Sequence, residues 1–247
     1  MLKPIHPSGL YRYTQCERMA HARLHPMHED HVNVSALVGT WAHLLLASSA
    51  ERNTCDILFD ETCLEDPEDL ECEVLYDATT PTIRAARLQA TAIANEVVRT
   101  LESEGLNPVS SEVEVDTSRV RGRVDLVCSE NVGEHQQGIV VCDLKTGRLT
   151  GQEWLQLGAY SHAMREDGYR PNQVAIIHAP RTKAGIPFEA TVTRRAAREV
   201  EVAAKRWIER VLSLDTEEDM PTVSPGAHCA YCNAMSCGLR AVERKNH

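Results

Sequence analysis

The segment from Arg121 to Tyr160 constrains the fold most, because apolar and polar residues alternate there at the spacing of β-strands. Asp125 closes one alternating run, and an apolar run ends in the triplet Asp143-x-Lys145. Successive side chains on a strand point to opposite faces, so Asp143 and Lys145 are predicted to share one face. Two carboxylates and an amine that meet at strand ends can hold a hard divalent cation and position an attacking water.

Helices are predicted on both sides of this strand block, which indicates an α/β fold with a mixed central sheet flanked by helices. The predicted helices span residues 6–18, 35–51, 82–104, 153–166 and 194–214, and the predicted strands span 112–116, 121–128, 138–144, 173–179 and 187–192. Gln156 and Tyr160, one helical turn apart, are expected to share a face. Glu112 and Glu114 lie on a predicted edge strand, where we expect them to face solvent, although one of them could reach the site.

The composition is that of an ordinary globular protein, with 43% hydrophobic and 25% charged residues among 247. No apolar run approaches the length that spans a bilayer, so no membrane association is expected. The first residues lack the apolar core of a signal peptide. We therefore expect a cytoplasmic protein of a bacterial or phage-infected cell, whose nine cysteines are reduced thiols or metal ligands.

The net charge of −10 is concentrated in one segment, since ten Asp or Glu residues and no Lys or Arg lie between Asn53 and Ile83. This acidic insert, about residues 53–81, is interpreted as a solvated loop; the alternative is a segment that mimics DNA or binds a basic partner. The last predicted helix instead carries a basic stripe that could follow a phosphate backbone, formed by Arg194, Arg195, Arg198, Lys205, Arg206 and Arg210.

The strand block and the helix after it resemble the RecB-like branch of the PD-(D/E)xK nucleases. The matching residues are Gly122, Asp125, Asp143, Lys145, Gln156 and Tyr160. Gly39-x-x-x-His43 also resembles a motif on the first helix of that branch. The resemblance implies a restriction-endonuclease-like sheet and a site that acts on DNA with a free, preferably single-stranded, end.

The same resemblance implies a role for each matching residue. A catalytic Mg²⁺ or Mn²⁺ would be held by His43, Asp125, Asp143 and the carbonyl of Leu144. Lys145 would position and activate the attacking water. Gln156 and Tyr160 would help to place the lysine and the DNA strand.

Three cysteines near the end of the chain, Cys229, Cys232 and Cys237, have a spacing that can wrap around one metal centre. The residues alone leave the fourth ligand open between Cys16, His228 and the other cysteines. The iron–sulfur members of the RecB-like branch, which include the AddB subunit and the CRISPR adaptation exonuclease, have one cysteine upstream of the nuclease core and three downstream. This resemblance implies a 4Fe-4S cluster completed by Cys16, and zinc on the three cysteines with His228 is the alternative.

These inferences predict one nuclease domain over residues 1–247, with a core at about 35–214. A small helical Fe–S cap would join the termini through residues 6–30 and 215–247. The expected function is a metal-dependent exonuclease on single-stranded DNA ends, with protein partners from a CRISPR adaptation, recombination or phage replication system. The alternative is a catalytically idle DNA-binding or assembly subunit stapled by the cluster or by zinc.

Overall fold

The structure, a computed structural model, describes residues 4–16, 31–52, 73–133, 136–182 and 188–213. Within these ranges the helices and strands, in chain order, are α1 (Pro7–Gln15), β1 (His31–Asn33), α2 (Val34–Arg52), β2 (Glu73–Leu75), α3 (Ile83–Ser103), β3 (Asn107–Asp116), β4 (Arg121–Gly133), β5 (Gln136–Lys145), α4 (Glu153–Glu166), β6 (Pro171–His178), β7 (Thr191–Ala196) and α5 (Ala197–Leu212). The three cysteines after residue 213, most of the acidic insert and most of the predicted cap lie outside the described residues.

A five-stranded sheet in the order β3-β4-β5-β6-β7 forms the centre of the molecule. β5 and β6 pair in parallel, and the other neighbouring strands pair antiparallel. Because the parallel register aligns Lys145 with His178, the ends of β5 and β6 lie at the same edge of the sheet. This architecture confirms the predicted α/β fold with a mixed sheet flanked by helices.

Helices cover both faces of the sheet, so the central strands are apolar on both sides. On β5, Val140, Cys142 and Leu144 belong to the core that α2 and α3 complete. Val141, between them, belongs to the opposite core, which α1, α4 and α5 complete. Asp143 alternates with the first set and thus lies on the α4 face, as the period-two pattern predicts.

The ends of α3 follow from its local sequence. The Thr82 hydroxyl accepts a hydrogen bond from the backbone N–H of Ala85 at 3.1 Å and caps the first turn. Gly105 follows the last turn with a φ of +67°, a left-handed conformation that glycine adopts without strain. The helix therefore extends over the range that the sequence predicts, to within one residue at each end.

The last helix begins at Ala197, three residues later than predicted, because Arg194 and Arg195 belong to β7 and pair with β6. The Arg194 guanidinium contacts the carboxylates of Glu104 at 3.1 Å and Glu130 at 2.9 Å. Those partners lie on elements distant in sequence, so Arg194 ties α3 and β4 to β7. The predicted basic stripe is wrong in this respect, since Arg194 is committed to the fold.

The helices α4 and α5 pack closely, and a buried ion pair connects them. Arg165 contacts Glu201 at 2.9 Å and donates a second hydrogen bond to the carbonyl of Pro171. The Ser161 hydroxyl donates to the same glutamate at 2.6 Å. These contacts fix α4 on the sheet, and α4 carries two of the predicted site residues. Among the described helices, none is long and apolar enough to cross a membrane.

Candidate active site

Two acidic residues stand opposite each other on neighbouring strands. The β3–β4 register pairs Ser111 with Leu126 and Val113 with Val124, which places Glu112 opposite Asp125. Glu112 has a φ of +49°, a left-handed conformation that is uncommon for residues other than glycine. Such conformations cost free energy and cluster at functional sites. The backbone at Glu112 thus directs a carboxylate into the site.

His43 approaches the same point from α2. A Cβ atom at Gly39, one turn earlier, would lie 2.8 Å from the Thr146 hydroxyl oxygen, so the absence of a side chain lets α2 approach the end of β5 closely. The His43 Nδ1 atom lies 3.6 Å from Asp125 Oδ2. Candidate ligand atoms of His43, Glu112 and Asp125 all lie within 4.8 Å of one another. An imidazole and two carboxylates in this arrangement can share one cation.

Asp143 and Lys145 form an ion pair on the α4 face of β5. The Lys145 Nζ atom lies 2.9 Å from Oδ1 and 2.8 Å from Oδ2 of Asp143, which is 2% exposed. Both carboxylate oxygens of Asp143 therefore lie within ion-pair distance of the ammonium. Lys145 also donates to Gln156 Oε1 at 3.4 Å. Gln156 is therefore positioned to hold the lysine.

The family resemblance implies that Asp143 and the Leu144 carbonyl bind the cation. The structure shows other contacts for both residues. Asp143 contacts Lys145, while the Leu144 backbone N–H donates to Asp125 Oδ2 at 2.8 Å. Glu112 belongs to the group of three, so of the two expectations for the edge-strand carboxylates the one in which a glutamate reaches the site applies to it. Ligation by Asp143 and by the Leu144 carbonyl stays a prediction.

Tyr160 lies beneath the site, with 5% of its surface exposed. Burial raises the pKa of its phenol to about 12, although hydrogen bonds with the Arg123 main chain and with Gln156 oppose the shift. The hydroxyl is thus protonated at neutral pH. Together with Gln156 it supports the strand and the lysine from the α4 side, whereas contact of either residue with DNA stays a prediction.

Burial dominates the electrostatics of the acidic residues. It raises the pKa of Asp143 to about 7, and the neighbouring Asp125 carboxylate adds to the shift while Lys145 opposes it. Burial likewise raises the pKa of Asp125 to about 6. The pKa of His43 is lowered, chiefly by burial, so that its imidazole is neutral and can donate a lone pair. A bound cation would favour the ionised carboxylates, so this donor set fits a hard divalent metal.

These pKa shifts predict how the metal-free protein responds to pH. Both folded pKa values exceed the ordinary 3.8, so the folded state holds more protons than the unfolded chain. The resulting stabilisation is complete below about pH 4 and is lost as the pH rises through 6 to 7. Asp143→Asn keeps an acceptor for Lys145 and cannot ionise. At pH 8 in EDTA we expect this variant to be more stable than the wild type by about 1–3 kcal/mol.

Thermal unfolding measures the effect, and the expected rise in Tm is about 2–10 °C at pH 8. At about pH 3 the two proteins should unfold at nearly the same temperature, because Asp143 is then mostly protonated in both the folded and the unfolded state. If the variant is less stable than the wild type at pH 8, burial of the Asp143 carboxylate does not cost stability, and the prediction is wrong.

An open cleft of about 520 Å³ exposes the group of three to solvent. Small residues of α2 form one wall, and the ends of β3, β4 and β5 form the other. Arg123, which the sequence did not single out, is among the lining residues. The sequence contains a signal for the position of Glu112. The short hairpin turn between Asp116 and Arg121 fixes the register of the two strands and places Glu112 opposite Asp125.

Comparison with protein families gives a match over most of the chain. Residues 4–237 match the PD-(D/E)XK nuclease superfamily. No curated protein matches at a significant level. Among solved structures, the crystal structure of SSO0001 is similar at 12% sequence identity and a TM-score of 0.33, with 94% of each chain covered.

Proposed function

Because the chain belongs to the PD-(D/E)XK nuclease superfamily, we propose that it is a metal-dependent exonuclease that hydrolyses DNA from single-stranded ends. The observation that carries the nuclease proposal is the convergence of His43, Glu112 and Asp125 at one point of the cleft. Preference for a free single-stranded end is supported by the resemblance of the motifs to the RecB-like branch.

The proposed cation site consists of His43, Glu112 and Asp125. Oxygen ligands favour Mg²⁺, and the imidazole makes Mn²⁺ equally suitable. Asp143 is a further candidate, because its buried carboxylate lies close enough to Asp125 for the charge of that neighbour to raise its pKa. When bound, the cation would offset negative charge on the scissile phosphate and favour ionisation of the attacking water.

Lys145 is proposed to orient that water and to offset charge that develops on the phosphate. Its ammonium is held by Asp143 and by Gln156, so it is positioned before the substrate arrives. The Leu144 N–H holds the Asp125 carboxylate in the same way. These contacts mean that the chain itself supplies a rigid arrangement of charges.

Incubation of anaerobically purified protein with end-labelled DNA tests the proposal. We expect loss of label from linear single strands with Mn²⁺ or Mg²⁺, none in EDTA, and no cleavage of circular single strands. Cleavage of circles would show an endonuclease and remove the end requirement. DNA binding without cleavage under any of these conditions would favour the alternative, a catalytically idle DNA-binding or assembly subunit.

We also infer that Cys16, Cys229, Cys232 and Cys237 hold a 4Fe-4S cluster. Cys16 follows α1, which packs against α4 and α5, and it is 7% exposed. The thiol is thus held inside the fold close to elements that support the catalytic residues. A cluster with these ligands would connect the two ends of the chain and stabilise the fold, because ligand binding free energy becomes folding free energy. The other three cysteines lie outside the described residues.

Metal analysis of protein purified without oxygen tests the cluster. We expect a brown protein with about four iron and about four sulfide per chain. Cys16→Ala and Cys232→Ala should lower stability by similar amounts, whereas His228→Ala should have a small effect. A colourless protein with one zinc, in which His228→Ala is as damaging as Cys232→Ala, would establish the zinc alternative.

The proposed protein partners come from a CRISPR adaptation, recombination or phage replication system, and they rest on the same resemblance. The acidic insert carries ten Asp or Glu residues between Asn53 and Ile83 and no Lys or Arg, a charge that would attract a basic partner. Deletion of residues 56–71 should abolish such an association and leave hydrolysis of naked DNA unchanged.

A further inference from the structure

We propose that Arg123 binds a phosphate of the DNA strand next to the one that is cleaved. The inference rests on the proposed nuclease function and adds a substrate-binding residue to it. Arg123 lines the cleft, and its side chain is 59% exposed. Arg123 lies between Gly122 and Asp125 of the strand motif, and it is not among the residues to which the family resemblance gives a role.

The charges of the cleft show why a second basic side chain is needed. Its described lining contains the carboxylates of Glu112 and Asp125, and the substrate adds a phosphodiester at every nucleotide. Lys145 and Arg123 are the Lys or Arg residues of that lining. Lys145 already contacts Asp143 and Gln156. Arg123 is then the residue available to neighbouring phosphates.

The partner of Arg123 supports this assignment. One guanidinium nitrogen, Nη1, lies 3.3 Å from Glu112 Oε2, and this is a single contact with a partly exposed carboxylate. When Glu112 binds a cation, its charge is shared and its attraction for the guanidinium falls. The planar guanidinium presents five donors, which suit bidentate contacts with a phosphate. Metal binding would thus free Arg123 at the moment when substrate binding is productive.

The position of Arg123 on the strand indicates which phosphate it reaches. Arg123 and Asp125 are two residues apart on β4, so their Cα atoms lie roughly 7 Å apart, and both residues line the cleft. A group at that separation from the cation site reaches past the scissile phosphate to the next one along the strand. The backbone there is held by pairing with Glu114 on β3 and by Tyr160. The guanidinium therefore projects from a rigid base.

Arg121 provides a matched control. It lies two residues earlier on the same strand and face, it is 56% exposed, and it pairs with Asp116 at 3.0 Å. Unlike Arg123, it is absent from the cleft lining in the part of the chain that the structure describes. Comparison of Arg121→Ala with Arg123→Ala separates a specific phosphate contact from the general loss of one positive charge.

The experiment measures binding of fluorescent single-stranded DNA with Ca²⁺ in place of the catalytic metal. We expect Arg123→Ala to weaken binding by about 10- to 100-fold, the range for a charge-assisted hydrogen bond. The slope of log K against log salt should fall by about 0.7. Arg121→Ala should change affinity by less than about twofold, as expected of a pair outside the cleft.

A single methylphosphonate, which removes the charge of one phosphate, identifies the contact. The position that weakens binding to the wild type should have no further effect on Arg123→Ala. The Mn²⁺ affinity of Arg123→Ala, measured without DNA, should be unchanged or tighter, because a competitor for Glu112 is removed. If Arg123→Ala instead loses Mn²⁺ affinity and retains DNA affinity, the residue only positions Glu112, and the proposal is wrong.

Equal effects of Arg121→Ala and Arg123→Ala would also overturn the phosphate contact. Failure of the nuclease proposal gives a different result, since the wild type would then not cleave the DNA with Mn²⁺, whether or not it binds the DNA with Ca²⁺.

Discussion

Lys145→Ala is expected to lower the rate of DNA cleavage by about 100- to 10,000-fold, the range for loss of one positioned charge or proton-transfer group. The affinity for DNA should change little, because the ammonium is held inside the site by Asp143 and Gln156. The variant should still fold, since Asp143, whose pKa is already about 7, can take up a proton when its partner is removed. Single-turnover cleavage together with equilibrium binding separates the two effects.

Two further variants test whether the effect belongs to the site. Asp125→Asn should cause a comparable loss of cleavage, although its side chain keeps an acceptor for the Leu144 N–H. Arg99→Ala is the control, because this exposed residue of α3 lies outside the basic stripe and pairs with Glu96 at 3.2 Å on the same helix. Full cleavage by Lys145→Ala, or equal losses in Lys145→Ala and Arg99→Ala, would remove Lys145 from the chemistry.

Gly158→Ala is expected to destabilise the protein by at least about 3 kcal/mol, because the new methyl group overlaps with main-chain atoms that cannot move independently. A Cβ atom at Gly158 would lie 2.4 Å from the Val200 carbonyl oxygen. Relief requires separation of α4 from α5, which would also disturb the contacts between Arg165 and Glu201. The expected fall in Tm is about 6–12 °C for a chain of this size.

Gly9→Ala is the matched control for this substitution, since both glycines lie in helices. At Gly9 the nearest atom to a new Cβ is the Tyr13 hydroxyl oxygen at 3.9 Å, an ordinary contact. Alanine is the better helix former, so this change should stabilise the protein by up to about 1 kcal/mol. Similar Tm values for the two variants would show that α4 and α5 can separate at little cost.

Gly158→Ala also reports on the link between fold and function. α4 holds Gln156, whose amide oxygen contacts Lys145. A shift of α4 should therefore lower cleavage even at temperatures where the variant is folded. The packing of α4 against α5 thus contributes to the position of Lys145.

The side-chain orientation along the central strands was predictable, because it depends on the alternation of residues within each strand. Alternation along β5 predicts that Asp143 and Lys145 share a face, and the structure brings them into contact. The predicted spans of α2 and α3 agree closely with the structure, and in α3 the apolar residues recur with the helical period. The family assignment followed from the same residues, and the match over residues 4–237 confirms it at the level of the superfamily.

The helix boundary before α5 was less predictable, since arginine and alanine favour helices regardless of their surroundings. The residues Thr191–Ala196 form a strand because β6 offers an edge to pair with. Arg194 then finds Glu104 and Glu130, which are 90 and 64 residues away in sequence. Pairing and ion contacts at that sequence distance override local propensity.

By itself, the sequence determined the layered α/β fold, the placement of Asp143 and Lys145 on one face and membership of the nuclease superfamily, because these depend on periodicity and on a local motif. The tertiary structure decided which residues form the group of three. The short turn between β3 and β4 sets Glu112 opposite Asp125, whereas the positive φ of Glu112 and the close approach of α2 belong to the packed fold. The approach of α2 brings His43 from a segment that is remote in sequence, and the free energy that holds a strained residue in place comes from the packing around it.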